Sequence, residues 1–450
     1  MQLLRIPRFR AYLGLAVLAA GLAGLAVSGD LLVHATRFTA FYVLAGGGFA
    51  LLATAATSLP LRGAVLAAVV LRLLFLPVTP SLSDDYHRFV WDGRVQLAGI
   101  NPYTHPPYER ALDRVRYSGR DLINHQELRT IYPPLTQAVF LGVAAARAAW
   151  QGVAEPTRQD VQPGPSTSPA THGGETVEGH ATPRLELVLF KLVFGAFDLA
   201  TAGAVWLLAA RRLRLQATVL YLLCPAVIVQ TWESAHPEAA ATLLCVVAAA
   251  LLVRRRDGWA GIALGLAAAF KITPLGLLVP ALLGGRASPA RFLAGFLPAF
   301  LLPYLPYALT GGSFGSLFQS GTGWTGGSLL FTVFATVTTR EFARWLSLAV
   351  FIGGALWIAG SMRGRDKTAA VFAWTFTLLI LCLPVVHAWY WLTPLALGLA
   401  AGLWLPLLIA TAAPLVESLP LAAKLARLRA GLGTVLAAAL SERHSGTSRP

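Results

Sequence analysis

Long apolar runs recur from one end of this chain to the other. They fall near residues 11–28, 38–58, 63–80, 135–150, 185–210, 215–230, 239–253, 259–284, 292–310, 343–360, 368–386 and 391–413. Several approach or exceed the roughly 20 residues that a helix needs to cross a bilayer. Of 450 residues, 56% are hydrophobic and 13% charged, where a soluble domain would carry about 25% charged residues. The chain reads as an all-α polytopic membrane protein.

The formal charge of +15 could suggest a nucleic-acid partner. Its distribution says otherwise. Arg5, Arg8 and Arg10 precede the first run; Arg211, Arg212 and Arg214 follow another, and Arg254, Arg255 and Arg256 a third. Arg363, Arg365 and Lys367 cluster, as do Lys424, Arg427 and Arg429. Lys and Arg gather in cytoplasmic loops of membrane proteins, and no basic stripe is interleaved with aromatics as a strand-binding groove would be. The charge is topology, and no nucleic acid is expected. Cys224, Cys245 and Cys382 each lie inside an apolar run and read as small core hydrophobes, not as a disulfide framework or metal site. The basic start and "AVSG" near residue 28 can pass for a signal peptide; with so many later spans it reads as an uncleaved first helix.

With a cytoplasmic N-terminus, three crossings place Ser81 outside, and the basic clusters place loops 231–238, 311–342 and 387–391 outside as well. The unusual polar loops therefore share one face. Residues 259–284 are flanked by Arg on both sides and interrupted by Pro274, which favours a hairpin of two short helices with Lys271 near its turn; such backbone needs protein or water around it. Parity requires either that 135–150 not cross fully or that one basic cluster lie outside; the shortness of that run, with Arg147 near its end, favours the first. Residues 151–184, rich in Pro, Gly, Ser and Thr, read as a disordered insertion, and the isolated His172 and His180 carry no metal reading. The domain organisation is then a membrane domain over 1–413, with an outer loop at 81–131 carrying interfacial helices, and a basic cytoplasmic tail over 414–450.

One stretch stands apart: "SDDYHRFVWDGRVQLAGINPY", residues 83–103, crowds ionisable groups beside an apolar run. Ser83 is a candidate N-cap, with a helix continuing to Gly99 and Asn101-Pro102. On that helix Asp84, Arg88 and Asp92 share a face four residues apart, while Phe89, Val90 and Leu97 can dip into the bilayer interface and Trp91 and Tyr86 suit the headgroup level. The stripe could be a solvated ladder of ion pairs. That reading leaves Asp84-Asp85 unexplained at the mouth of a membrane helix, where charge is costly near lipid. Adjacent carboxylates can take a proton from a substrate hydroxyl, or hold a divalent cation such as Mg or Mn through oxygen ligands. Pairing with Arg88 would lower the pKa of Asp84, so Asp85 reads as the better base and Asp84 as the organiser. The loop that follows, fixed by prolines at 102, 106, 107, 133 and 134, is long for a connector, and such loops are often functional.

Further along, "TIYPPL", "LYLLCPAVIVQTWESAHPEAAA", "AAAFKITPL" and "VVHAWYWLTPL" complete a pattern. Over roughly residues 70–400 the chain resembles GT-C superfamily glycosyltransferases that use polyprenyl-phosphate sugars, nearest their bacterial mannosyltransferase-like branch. Glu238 stands where that pattern has Asp, and Ala388 where it has Pro. The resemblance implies a GT-C-like bundle of about 11–13 membrane helices with a large first extracytoplasmic loop carrying the catalytic Asp, here Asp84 or Asp85. It implies a polyprenyl-phosphate sugar donor, most simply of mannose, a glycan or lipid-linked acceptor, inversion at the sugar, contact with membrane lipid, and a multi-pass place in the plasma (inner) membrane with the site outside.

Such a donor already carries a leaving phosphate, so the protein need only deprotonate the acceptor, steady the phosphate and exclude water. Arg88, Lys271, His236 and His387 are candidate phosphate partners. Trp232, Trp389, Tyr390 and Trp391 offer faces for sugar or isoprene. Asp92, Asn101, Tyr132 and Glu238 complete the candidate substrate contacts. Blander roles compete: Lys271 can snorkel, His236 can cap a helix, His387 can sit in an interfacial belt, and Tyr132-Pro133-Pro134 can be a shaping turn. The rival function is a transporter or flippase for a lipid-linked sugar, which would place its ionisable groups near the bilayer midplane on paired broken helices.

Overall fold

The computed structural model describes residues 3–151, 183–318 and 325–418. Among them the secondary structure is helical, without a strand; Gly326 and Gly327 make isolated bridges to Val385. The protein is an all-α polytopic membrane protein, as its apolar runs require. The helices are α1 (Pro7–Ala26), α2 (Ala35–Ala53), α3 (Leu61–Leu73), α4 (Tyr86–Leu97), α5 (Pro134–Gln151), α6 (Arg184–Leu208), α7 (Arg214–Leu223), α8 (Pro225–Ile228), α9 (Glu238–Val253), α10 (Asp257–Phe270), α11 (Leu278–Leu282), α12 (Pro289–Leu301) and α13 (Leu305–Leu309). They continue with α14 (Leu330–Val337), α15 (Arg340–Ser361), α16 (Thr368–Cys382), α17 (Leu392–Ala401) and α18 (Leu405–Ser418).

Among the described residues five segments are long and apolar enough to cross a membrane: α1, α2, α6, α12 with α13, and α15. A sixth is α7 with α8, bent by 48° at Cys224, where Pro225 lacks the N–H to continue the first helix. Shorter apolar helices fill the rest, α9, α10 and α18 among them. The expected insertion at 151–184 lies outside the described residues but for its two ends: Gln151 closes α5, and Arg184 opens α6.

The basic clusters meet at one end of the bundle. Arg254 donates to Leu207 O (2.8 Å), Arg365 to Leu252 O (2.9 Å) and Asp257 Oδ2 (2.9 Å), and Arg286 to Leu283 O (2.8 Å). The polar loops meet at the other. Leu31 N–H donates to Ser81 Oγ (3.0 Å), Ser316 Oγ to Thr130 O (2.7 Å), and Asn101 Nδ2 to Tyr307 O (2.8 Å).

Residues 257–288 form the hairpin expected from their flanking arginines. Asp257 at the start of α10 accepts from Ser288 N–H just past the return leg (2.8 Å), so both legs begin and end at the basic end. A helix of the length of α10 rises about 21 Å, short of the roughly 30 Å hydrocarbon core. Lys271 follows it directly and sits at the hairpin tip, inside the protein.

The parity problem resolves as expected too. Thr136 near the start of α5 donates to Phe270 O at that tip (2.7 Å), and Arg147 near its end pairs with Glu186 at the start of α6 (3.1 Å). Both ends of α5 therefore lie at the polar end, and α6 makes the crossing.

Four expectations need correction. The helix in the first loop begins at Tyr86 with Asp85 as its N-cap, not at Ser83, so Asp84 lies outside the helix and shares no face with Arg88 and Asp92. Nor does α4 lie on lipid. Phe89, Val90 and Trp91 are buried: Phe89 stacks on Phe140 of α5 (4.8 Å) and meets Phe190 of α6 edge-on (5.9 Å), and Arg120 of the loop lies over the Trp91 ring (5.0 Å). The approach is close enough that a Cβ on Gly93 would fall 2.4 Å from Phe140 O. The apolar run 391–413 is likewise two helices. Gly402, in the left-handed region (φ 76°), ends α17 and lets α18 double back. Residues 414–418, expected in a basic tail, therefore belong to α18, and Val416 lines the cavity described next; Lys424, Arg427 and Arg429 lie outside the described residues.

Candidate active site

At the polar end a cavity of about 1100 Å³ opens between the first loop, the tip of the α10 hairpin, the turn before α9 and the segment after α16. Of the residues singled out in the sequence, Asp84, Asp85, Arg88, Tyr132, His236, Glu238, Lys271, His387, Trp389, Tyr390 and Trp391 line it.

The carboxylate pair is held from two sides. Asn124 Nδ2 donates to Asp84 Oδ1 (2.8 Å) and to Asp85 Oδ1 (3.0 Å), and His236 Nε2 meets Asp85 Oδ2 (3.2 Å). Among the described residues no side-chain hydrogen bond is made to Asp84 Oδ2, and Asp84 lines the cavity. Burial alone would push the Asp85 carboxyl up. The hydrogen bond and field of His236, with Asn124 and His387 behind it, reverse that and hold it well below the usual carboxylate range. Asp84 moves the other way: desolvation at the cavity wall, then the neighbouring Asp85 charge, raise it. Burial lowers the pKa of His236 despite its contact with Asp85; against a carboxylate its Nε2 carries the hydrogen, which leaves Nδ1 without one. That nitrogen is buried and has no protein partner.

The basis for ranking Asp85 as the base thereby falls. Arg88 does not touch Asp84; it gives Nε to Asp92 (2.9 Å) and Nη2 to Leu128 O (2.9 Å). Asp92 is buried, accepts also from Gln137 Nε2 (2.8 Å) and does not line the cavity. Asn101 is likewise removed from the cavity, where it ties the first loop to Tyr307 and Thr310. Trp232 is buried with its Nε1 on Asp198 (3.1 Å).

Deeper in, Lys271 Nζ ion-pairs with Glu238 Oε2 and lies 3.6 Å from the centre of the Tyr390 ring. Glu238 Oε1 is buried without a partner. His236 and His387 both stack on Trp389, at 3.7 and 4.4 Å between ring centres. The remaining wall is apolar, built from Ile380 and Leu381 of α16 and Ile409, Ala412, Ala413 and Val416 of α18. One cavity thus joins a carboxylate mouth, a cationic and aromatic floor and a greasy side.

Sequence reasoning missed Asn124 and the α18 wall. The pair does not fit a divalent cation well. An amide N–H₂ stands between the two Oδ1 atoms and an imidazole N–H on the third oxygen, so one carboxylate oxygen remains where Mg²⁺ or Mn²⁺ wants an oxygen shell. No group of three or more His, Cys, Asp or Glu that could hold a metal occurs among the described residues.

No curated protein matches the chain in sequence. Residues 182–384, from the start of α6 to just past α16, match glycosyltransferase family 87. The matched stretch includes His236, Glu238 and Lys271 and leaves Asp84, Asp85 and His387 outside it. Glycosyltransferase family 87 is a family of GT-C-type membrane glycosyltransferases, and the match, over somewhat less than half of the chain and on a helical membrane bundle of this kind, supports a membrane glycosyltransferase of the GT-C type.

Proposed function

We propose that the protein moves a hexose, most simply mannose, from a polyprenyl-phosphate donor to a glycan or lipid-linked acceptor on the extracytoplasmic face of the plasma membrane. One observation carries this reading: the Asp84–Asp85 pair stands at the mouth of a cavity whose floor carries Lys271, His236 and His387 and whose side wall is apolar. A lipid-held phosphate sugar needs those surroundings together. The apolar wall suits isoprene, the cationic and aromatic floor suits phosphate and sugar ring, and the mouth admits an acceptor from water. Sidedness follows from the basic clusters gathered at the opposite end.

In this reading Asp84 is the base. The acceptor hydroxyl oxygen attacks the anomeric carbon, the bond from that carbon to the phosphate oxygen breaks, and polyprenyl phosphate leaves with the electron pair. The hydroxyl proton passes to Asp84 Oδ2, the oxygen of the pair to which no side chain donates and the one on the carboxylate with the raised proton affinity. Asp85, fixed by Asn124 and His236, holds the segment and its negative field in place. No step requires a metal.

The test is reconstitution with a radiolabelled polyprenyl-phosphate mannose. Label appearing on a glycan or lipid acceptor supports transfer. Label that changes leaflet without changing its carrier would make the protein a flippase and overturn the proposal.

A further inference from the structure

Between α3 and the carboxylate pair the chain runs irregularly through the protein interior, from Phe75 to Ser83, with Pro77 and Pro80 in its path. Such backbone pairs with itself only in its opening turn, where Val78 N–H donates to Phe75 O (3.1 Å), and at this depth its other polar groups need partners. Two buried ionic side chains supply them. Lys191 on α6 is fully buried and donates Nζ to Phe75 O (2.7 Å) and Val78 O (2.5 Å). Glu233 closes the single π-helical turn Val229–Glu233 and is also fully buried. Its Oε1 accepts from Ser81 N–H (2.8 Å), Ser81 Oγ (2.9 Å) and Leu82 N–H (3.4 Å), and its Oε2 from Ser234 Oγ (2.8 Å). A cation thus takes the carbonyls of the segment, and an anion takes its amides.

Neither Lys191 nor Glu233 lines the cavity, so neither meets a substrate there. Yet His236, three residues after Glu233, touches Asp85. The piece 233–236 therefore grips the segment at two points, at Ser81–Leu82 and at Asp85. Resting on the carboxylate-assisted transfer proposed above, we infer that Glu233 is a positioning residue for that reaction: through Ser81 and Leu82 it sets where Asp84 and Asp85 stand against the cavity. The π-helical turn is where such a grip is expected, since single π turns break helix register and recur at functional sites.

The test uses the full chain in lipid nanodiscs with Glu233→Ala, Glu233→Gln, Ser81→Ala and the double variant Glu233→Ala/Ser81→Ala. Hydrogen exchange at the Ser81 and Leu82 amides is read without donor, and kcat and KM with it. In Glu233→Ala those amides should lose protection, and kcat should fall about 100-fold, the scale for a misplacement near 1 Å, with KM nearly unchanged. Glu233→Gln keeps an acceptor oxygen and should recover most of the rate. The double variant should be no slower than Glu233→Ala, because both lesions act on one contact. Unchanged exchange at Ser81 and Leu82 in Glu233→Ala would overturn the inference, and so would additive losses in the double variant. If Glu233→Ala does not fold, Ser81→Ala carries the test through the lost hydroxyl contact, and a normal kcat in it would be the overturning result. Exchange needs no donor. Lost protection in the variant beside a wild-type chain that transfers nothing would therefore keep the clamp and sink the transfer reading.

Discussion

Replacing each carboxylate by its amide separates the two roles assigned to the pair. Asp84→Asn keeps an Oδ1 to accept from Asn124 (2.8 Å) and changes only the oxygen to which no side chain donates, so folding should shift by no more than about 0.5 kcal/mol. What it removes is the proton acceptor, and kcat should fall at least about 100-fold, or about 2.7 kcal/mol of barrier. Asp85→Asn differs in kind. Its new amide must face Asn124 on one side and the Nε2–H of His236 on the other (3.2 Å). An N–H₂ then opposes an N–H unless His236 moves its proton to Nδ1. The His236 side chain is 5% exposed, so water does not replace the lost acceptor, and the cost in stability should be about 1.5–3 kcal/mol. Thermal unfolding in detergent with and without polyprenyl-phosphate hexose, beside kcat and KM in nanodiscs, reads both effects. The reasoning fails if Asp84→Asn turns over within about threefold of wild type while Asp85→Asn folds normally and is inactive. Asp85 would then be the base despite its hydrogen bonds.

Four further outcomes follow. Because the Asp84 carboxyl is raised, the acid limb of kcat/KM should lie above the ordinary carboxylate range, activity falling as Asp84 takes up a proton, and Asp84→Asn should abolish the limb. Asp85 is depressed, so the stability it contributes is present above about pH 4 and is lost only as the pH falls from there toward its folded value; thermal unfolding against pH checks this. Lys271→Met strands Glu238, whose side chain is 1% exposed, and should cost about 3–5 kcal/mol, toward the lower figure because Lys271 is itself 22% exposed; adding Glu238→Gln should restore the unfolding temperature but not transfer. Finally, Ser118→Cys, at an exposed position of the first loop, should react with an impermeant maleimide in intact cells lacking Cys224, Cys245 and Cys382; labelling only after lysis would place the loop on the cytoplasmic side.

Apolar periodicity and charge made the bundle legible before its structure. The run at 185–210 became α6 at Arg184–Leu208, and arginines on both sides of 259–284 with Pro274 between them pointed to a hairpin with Lys271 near its turn. Both signals are local or additive along the chain. What stayed hidden depends on contacts between distant segments. Asn124 sits in an irregular loop with no period to mark it, and its role exists only because the fold brings it to residues 84 and 85. The stripe Asp84–Arg88–Asp92 misled for a related reason: helical spacing is informative only if the helix has already begun, and it begins at Tyr86. The turn at Gly402 was hidden because both of its flanks are apolar, so only the left-handed φ of the glycine marks it.

The two residues that fix the carboxylate pair share a backbone feature. Asn124 precedes His125 (φ 48°), and Ala235 (φ 54°) precedes His236. Left-handed backbone costs a residue with a Cβ roughly 1–2 kcal/mol, and Ala gains no local side-chain hydrogen bond in return. Ala235 is also fully buried, two residues past the end of the π-helical turn. Strain of this sort persists only where the surroundings over-determine it. Here they do: Glu233 is locked onto Ser81 and Leu82, α9 must start at Glu238 to set that side chain against Lys271, and the few residues between must still present His236 to Asp85. An unstrained path would relax one of those three contacts. The bundle therefore holds the pair rigidly before any substrate arrives, which is what a reaction driven by positioning and a single base requires.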